Sequence, residues 1–177
     1  MSDRMESTPT VADPRPSRVV MISSYIACGV AIGVGAAARS SVRGLEIVTL
    51  WGVGSLGILS FVRHSILHAS DAARMGWSHG RRNEFQIEVG FANLAIGLVA
   101  AAAVVWRWGV AAQAAVTIVY AIYLLLAAVL HVISIIGRTE ERSARAAWLS
   151  ALATFAVSGL FLWMAVTTMS LARVSPF

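Results

Sequence analysis

Two stretches of this chain hold most of the side chains that could do chemistry. In the first, His64 and His68 stand four residues apart and Asp71 follows three later. On a continuous helix all three would share one face. Two histidines at that spacing are a partial metal or haem site. They need a third ligand or a second axial ligand, which His131 or Glu88 would supply. The second stretch, Arg81 to Gly97, starts with polar and charged residues and carries Gln86, Glu88 and Asn93 into apolar sequence. Gln86, Gly90, Asn93 and Gly97 recur at intervals of four, three and four, which is one helix face. Small residues on such a face let a neighbour come close, and the amides can hydrogen-bond to it. Glu88 points elsewhere, toward Phe91, Ala92 and Ala95. A second stripe, Tyr123, Ala127, His131 and Ser134, follows later in the chain.

Each of these groups also has a structural reading: histidines at a helix end, amides that hold helices together, a glutamate paired with an arginine. No G-x-S-x-G elbow, Walker loop or H-E-x-x-H helix occurs. No catalytic residue is assigned, and a non-enzymatic protein is expected. The ligand or proton site expected from the sequence is Gln86, Glu88, Asn93 and His131. The alternative is a redox protein with haem or metal on His64, His68 or His131; otherwise no cofactor is expected.

The elements that must position these residues are membrane helices. Of 177 residues, 58% are hydrophobic and 13% charged, and the mean hydropathy is +0.73. Soluble domains are typically about 25% charged. Several uncharged runs exceed the roughly 18 residues that mark a membrane-spanning helix. The expected fold is an all-α integral membrane bundle of five transmembrane helices, four of them forming the core. The spans fall at about 19–38, 45–67, 85–106, 110–137 and 146–172, within a bundle of residues 18–173. Residues 1–17 are polar, hold three prolines and read as a disordered cytoplasmic tail. The connection from Asp71 to Asn83 has room for a short interfacial helix with Trp77 at headgroup depth. Arg107-Trp108-Gly109 reads as a tight hairpin. Gly29 and Gly33 form a G-x-x-x-G pair, and Gly52, Gly54 and Gly57 thin the second span for close packing.

All fourteen basic residues are arginine. Arginines in membrane-protein loops favour the cytoplasm. The tail, the second loop and the fourth loop hold ten of them, against Arg39, Arg43, Arg107 and Arg173 on the other side. The N-terminus is therefore expected in the cytoplasm and the C-terminus outside, in the cell's inner (plasma) membrane. The histidines, Gln86, Glu88 and Asn93 then gather in the cytoplasmic half. A single cysteine, Cys28, excludes a disulfide framework. No basic face interleaved with aromatics points to nucleic acid. The expected partners are the lipid bilayer and, because polar stripes are poorly tolerated in lipid, a second copy or another membrane subunit.

The run His68, Ala73, Met75-Gly76-Trp77, then Phe85-Gln86-x-Glu88-Val89-Gly90-x-Ala92-Asn93-Leu94-x-x-Gly97 resembles the hallmark of a prokaryotic family of small polytopic membrane proteins without an assigned activity. Members are similar in having a histidine before a Gly-Trp turn and a Gly-His-Ile motif on the next span. Here that motif reads Leu130-His131-Val132: the histidine matches and the glycine does not. The resemblance covers roughly Phe61 to Arg138. It implies a small helical bundle with a polar site on these spans, and no particular chemistry.

Overall fold

A computed structural model describes residues 12–38, 40–76, 83–136 and 141–174. Among them the chain forms six helices and no strand. These are α1 (Arg15–Ala36), α2 (Ser41–Ile66), α3 (His68–Met75), α4 (Glu84–Val105), α5 (Val110–Ile136) and α6 (Glu141–Val174). All but the short α3 are long and apolar enough to cross a membrane.

Local sequence sets the helix ends. Pro16 lies in the first turn of α1, where its missing N–H is no loss. That helix therefore begins at Arg15 and takes in the last three residues of the stretch read as tail; residues 1–11 lie outside the described residues. Ser40 caps α2 by accepting from the Arg43 amide at 3.2 Å, and Asn83 caps α4 by accepting from the Gln86 amide at 3.2 Å. Gly76 closes α3 in the left-handed conformation, φ 71°. The Arg107–Gly109 hairpin between α4 and α5 uses positive φ at both ends, 54° and 92°.

The central element is α2. Its most apolar stretch is 50% buried, against 22% to 39% for the other four long helices. It packs against α1, α4, α5 and α6. Within it, Val48–Gly54 and Val62–Ile66 are wound as π-helix. Such segments shift the facing of every later residue. Glycine lets α4 approach closely: a Cβ on Gly57 would lie 2.6 Å from the Asn93 carbonyl oxygen and 2.8 Å from the Gly97 Cα. The predicted Gln86–Gly90–Asn93–Gly97 face is the buried face of α4. The predicted G-x-x-x-G pair is different. A Cβ on Gly29 or Gly33 would meet nothing within 4 Å. The close approach by α1 is at Gly35, against Gly44 of α2.

The core runs through Cys28, Val48, Val53, Tyr120 and Phe161. The outward surface is apolar, with Trp51, Ile58, Phe91, Leu126 and Trp163 among its exposed side chains. Hydroxyls tie the helices together across the interior. Thr49 of α2 meets Thr117 of α5 at 3.0 Å, and Tyr25 of α1 meets Thr154 of α6 at 2.8 Å.

Candidate functional site

The chain breaks at Leu67 (φ −97°, ψ 27°), between the π-wound end of α2 and the start of α3. His64, His68 and Asp71 are therefore not on one continuous helix. The turn folds α3 back against the N-terminal end of α1, and Asp71 becomes fully buried there. Its carboxylate is the centre of a polar cluster.

Oδ1 accepts from the Ser17 hydroxyl of α1 at 2.5 Å. It also accepts from Arg74, through Nε at 3.0 Å and Nη2 at 2.8 Å. Oδ2 accepts from Gln86 Nε2 of α4 at 3.0 Å and lies 2.9 Å from His64 Nδ1 of α2. The His64 approach is close in distance but poorly aligned for a hydrogen bond, so it acts as a charge–dipole contact. Four helices thus meet at one carboxylate, three of them through hydrogen bonds and α2 through His64. Ser70 extends the tie, accepting from the Ser17 amide at 3.1 Å and donating to the Asp13 carbonyl at 2.6 Å.

An isolated buried carboxylate is expensive and normally survives only when paired and hydrogen-bonded. Burial alone would push the Asp71 carboxyl up. The contact with His64 and the charges of Arg63 and Arg74 outweigh it and hold the group well below the usual carboxylate range. The cluster thus favours the charged form of Asp71.

Arg63 is placed differently from Arg74. Its Nε is 3.8 Å from Asp71 Oδ1, beyond hydrogen-bond reach, and makes no hydrogen bond. Its Nη2 lies 2.8 Å from His64 Nε2. A guanidinium only donates, so Nε2 accepts and the His64 hydrogen sits on Nδ1, facing Asp71. His64 is in this arrangement a neutral link between a guanidinium and a carboxylate.

A second polar knot lies deeper. Asn93 donates through Nδ2 to the Val89 carbonyl at 2.8 Å and to the Tyr123 hydroxyl at 3.0 Å. Its Oδ1 accepts from the Tyr120 hydroxyl at 2.8 Å. Asn93 thus locks α4 to α5, and the two tyrosine rings stack at 6.0 Å.

Of the residues singled out from sequence, Gln86 touches Asp71 and Asn93 forms the inner knot. Glu88 is exposed on another face of α4, and His131 is half-buried on α5. His68 turns its Nδ1 to the Ser65 carbonyl at 3.1 Å. Among the described residues, no three of His, Cys, Asp and Glu come together as metal ligands would. Trp77, Arg81 and Arg82 lie outside the described residues. The sequence reading did not single out Ser17 and Arg74 as partners of Asp71. Arg74 had a signal, its i, i+3 spacing from Asp71. Ser17 had none.

One cavity of about 30 Å³ adjoins this region, lined by Ser24, Tyr25, Ser60, Arg63 and Thr154 together with leucine and valine side chains.

The chain matches the model of a family of unknown function, DUF6790, over residues 18–171, and it belongs to that family. The match spans all five long helices. No curated protein and no solved structure matches it.

Proposed function

Starting from membership of that family, we propose that the chain is a multi-pass integral membrane protein whose buried Asp71 cluster binds a small ligand or a proton, in transport or as an accessory subunit. The observation that carries this reading is the fully buried Asp71, hydrogen-bonded from α1, α3 and α4 and in close contact with His64 of α2. Asp71 itself sits on the short α3, but its neighbours Arg63 and His64 lie at the end of the apolar helix α2, and ionisable groups on such helices are rare and tend to mark ion or proton pathways. Asp71, His64, Arg63 and Gln86 form the inner set. Asn93 backs it through Tyr120, and Glu88 and His131 are kept as outer members on α4 and α5. No step of this reading is catalytic.

The arginine distribution supports an inner-membrane location with the N-terminus in the cytoplasm and the C-terminus outside. The cluster then lies on the cytoplasmic side. The bilayer is the primary partner, and a second copy or a larger membrane complex would cover polar surface such as Glu88.

The test uses full-length protein in liposomes carrying a pH-sensitive dye, with ion and proton gradients imposed. The expected result is a flux that falls at least about tenfold in Asp71→Asn and His64→Gln, with Glu88→Gln and His131→Ala showing whether the outer members take part. If these variants keep their helicity and no gradient ever produces a flux, the transport form fails. The favoured second reading is then a structural subunit, because the same four-helix convergence would serve as a clamp. Co-purification of another chain would support it. A Soret band or bound metal that disappears in His64, His68 or His131 variants would instead mark a redox protein.

A further inference from the structure

Among the described residues, Arg63 shares its counter-ion: Asp71 lies 3.8 Å from its Nε and is hydrogen-bonded by Arg74 instead. The cluster holds one carboxylate, Asp71, and two guanidiniums. Arg74 takes the carboxylate directly, with two contacts at 2.8 and 3.0 Å to the same oxygen. Ser17, Gln86 and His64 occupy the remaining approaches. That leaves Arg63 at 3.8 Å, with its one short contact to the neutral Nε2 of His64. With His64 neutral, these groups carry a surplus of one positive charge. A buried charge needs a partner.

Arg63 also lines the cavity of about 30 Å³ between α1, α2, α5 and α6. The other polar groups there are the hydroxyls of Ser24, Tyr25, Ser60 and Thr154. Ser24 and Thr154 give their hydrogens to carbonyls of their own helices, Met21 and Ser150, each at 2.8 Å. Such hydroxyls rotate freely about the C–O bond, so each can be turned inward with the loss of only one local bond. Tyr25 and Thr154 bridge α1 to α6 at 2.8 Å, so a guest here would touch the contact that closes the bundle.

We propose that this cavity is a binding site for one small monovalent anion of the halide class, held by the Arg63 guanidinium and capped by the Ser60 and Thr154 hydroxyls. The proposal rests on the reading of the Asp71 cluster as a ligand site and names the ligand class. The charge surplus of one sets the valence. The cavity has room for a guest of at least one water molecule, and a single surplus charge leaves a divalent anion such as sulfate half-compensated. A cation is refused by the guanidinium.

The test is chloride titration of the purified full chain in detergent, at constant ionic strength with gluconate as the replacing anion. Melting temperature and chloride NMR line width are read together. Chloride is expected to raise the melting temperature saturably and broaden the line, while gluconate and sulfate do neither. Thr154→Val and Ser60→Ala should each weaken half-saturation by about tenfold, the scale of one hydrogen bond to a charged group. Arg63→Gln should abolish the response. A wild type indifferent to chloride overturns the proposal and leaves a water-filled cavity. So does a response undiminished in Arg63→Gln. If Arg63→Gln does not fold, the two hydroxyl variants decide, and wild-type half-saturation in both overturns it. Chloride binding without liposome flux keeps this site and removes the transport reading; flux without a chloride response does the reverse.

Discussion

Asp71 illustrates how a buried charge becomes a stability switch. Removing it strands Arg74 and Arg63 inside the bundle. Breaking one side of a buried ion pair typically costs about 3–5 kcal/mol, so Asp71→Ala should lower unfolding stability by that order, measured by thermal or denaturant unfolding in detergent. The pH dependence follows from the direction of the shift. The folded carboxyl lies below its unfolded value of about 3.9, so its contribution is fully present above that pH and is lost as pH falls toward the folded value. The melting-temperature gap between wild type and Asp71→Asn should be constant from pH 7 to 5 and shrink below about pH 4. A gap that widens on acidification would contradict the Asp71 assignment. Ser17 contributes one of the shortest bonds in the cluster, yet it sits in sequence that composition alone reads as tail.

At the scale of elements, the decisive contact is α2 against α4. A methyl group on Gly57 meets backbone atoms, which cannot swing aside as a side chain can. Gly57→Ala should therefore destabilise the fold by about 1–3 kcal/mol or more, the range for overpacking. Gly29→Ala is the control. Its Cβ meets nothing within 4 Å, and relief of glycine's backbone freedom should leave stability equal or raised by about 0.5–1 kcal/mol. Equal effects at the two positions in an unfolding titration would show that α2 and α4 are not in contact at Gly57. The π-wound turns of α2 matter for the same reason as the glycines. They redirect Arg63 and His64, so that one faces the cavity while the other reaches Asp71.

Across the whole molecule, one end gathers the chemistry. The start of α1, the end of α2, the whole of α3 and the start of α4 meet around one carboxylate, while the exposed surface along the helices is largely apolar. The proposed orientation predicts that cysteines placed at Ser40 and at Gly76 react with membrane-impermeant thiol reagents from opposite sides, Gly76 from the cytoplasm. The native Cys28 is fully buried and should stay unlabelled in both cases. Labelling of both engineered sites from one side would mean that α2 does not cross.

The helices and the buried face of α4 were legible in the sequence, because hydrophobic runs and a four-three-four spacing are local properties of the chain. Membership of a family lacking an assigned activity was legible too, from the motif between His68 and Gly97. The helix starts shifted by a few residues, because the first-turn Pro16 and the caps Ser40 and Asn83 are finer signals than hydropathy. Only the tertiary structure decided that Ser17, His64, Arg74 and Gln86 converge on Asp71. These residues are up to 69 positions apart, and a one-residue slip in the π-wound end of α2 would turn His64 away. A helix period projects faces along an ideal cylinder. It cannot anticipate where that cylinder is underwound, where it breaks at Leu67, or which distant helix supplies the partner for a buried charge.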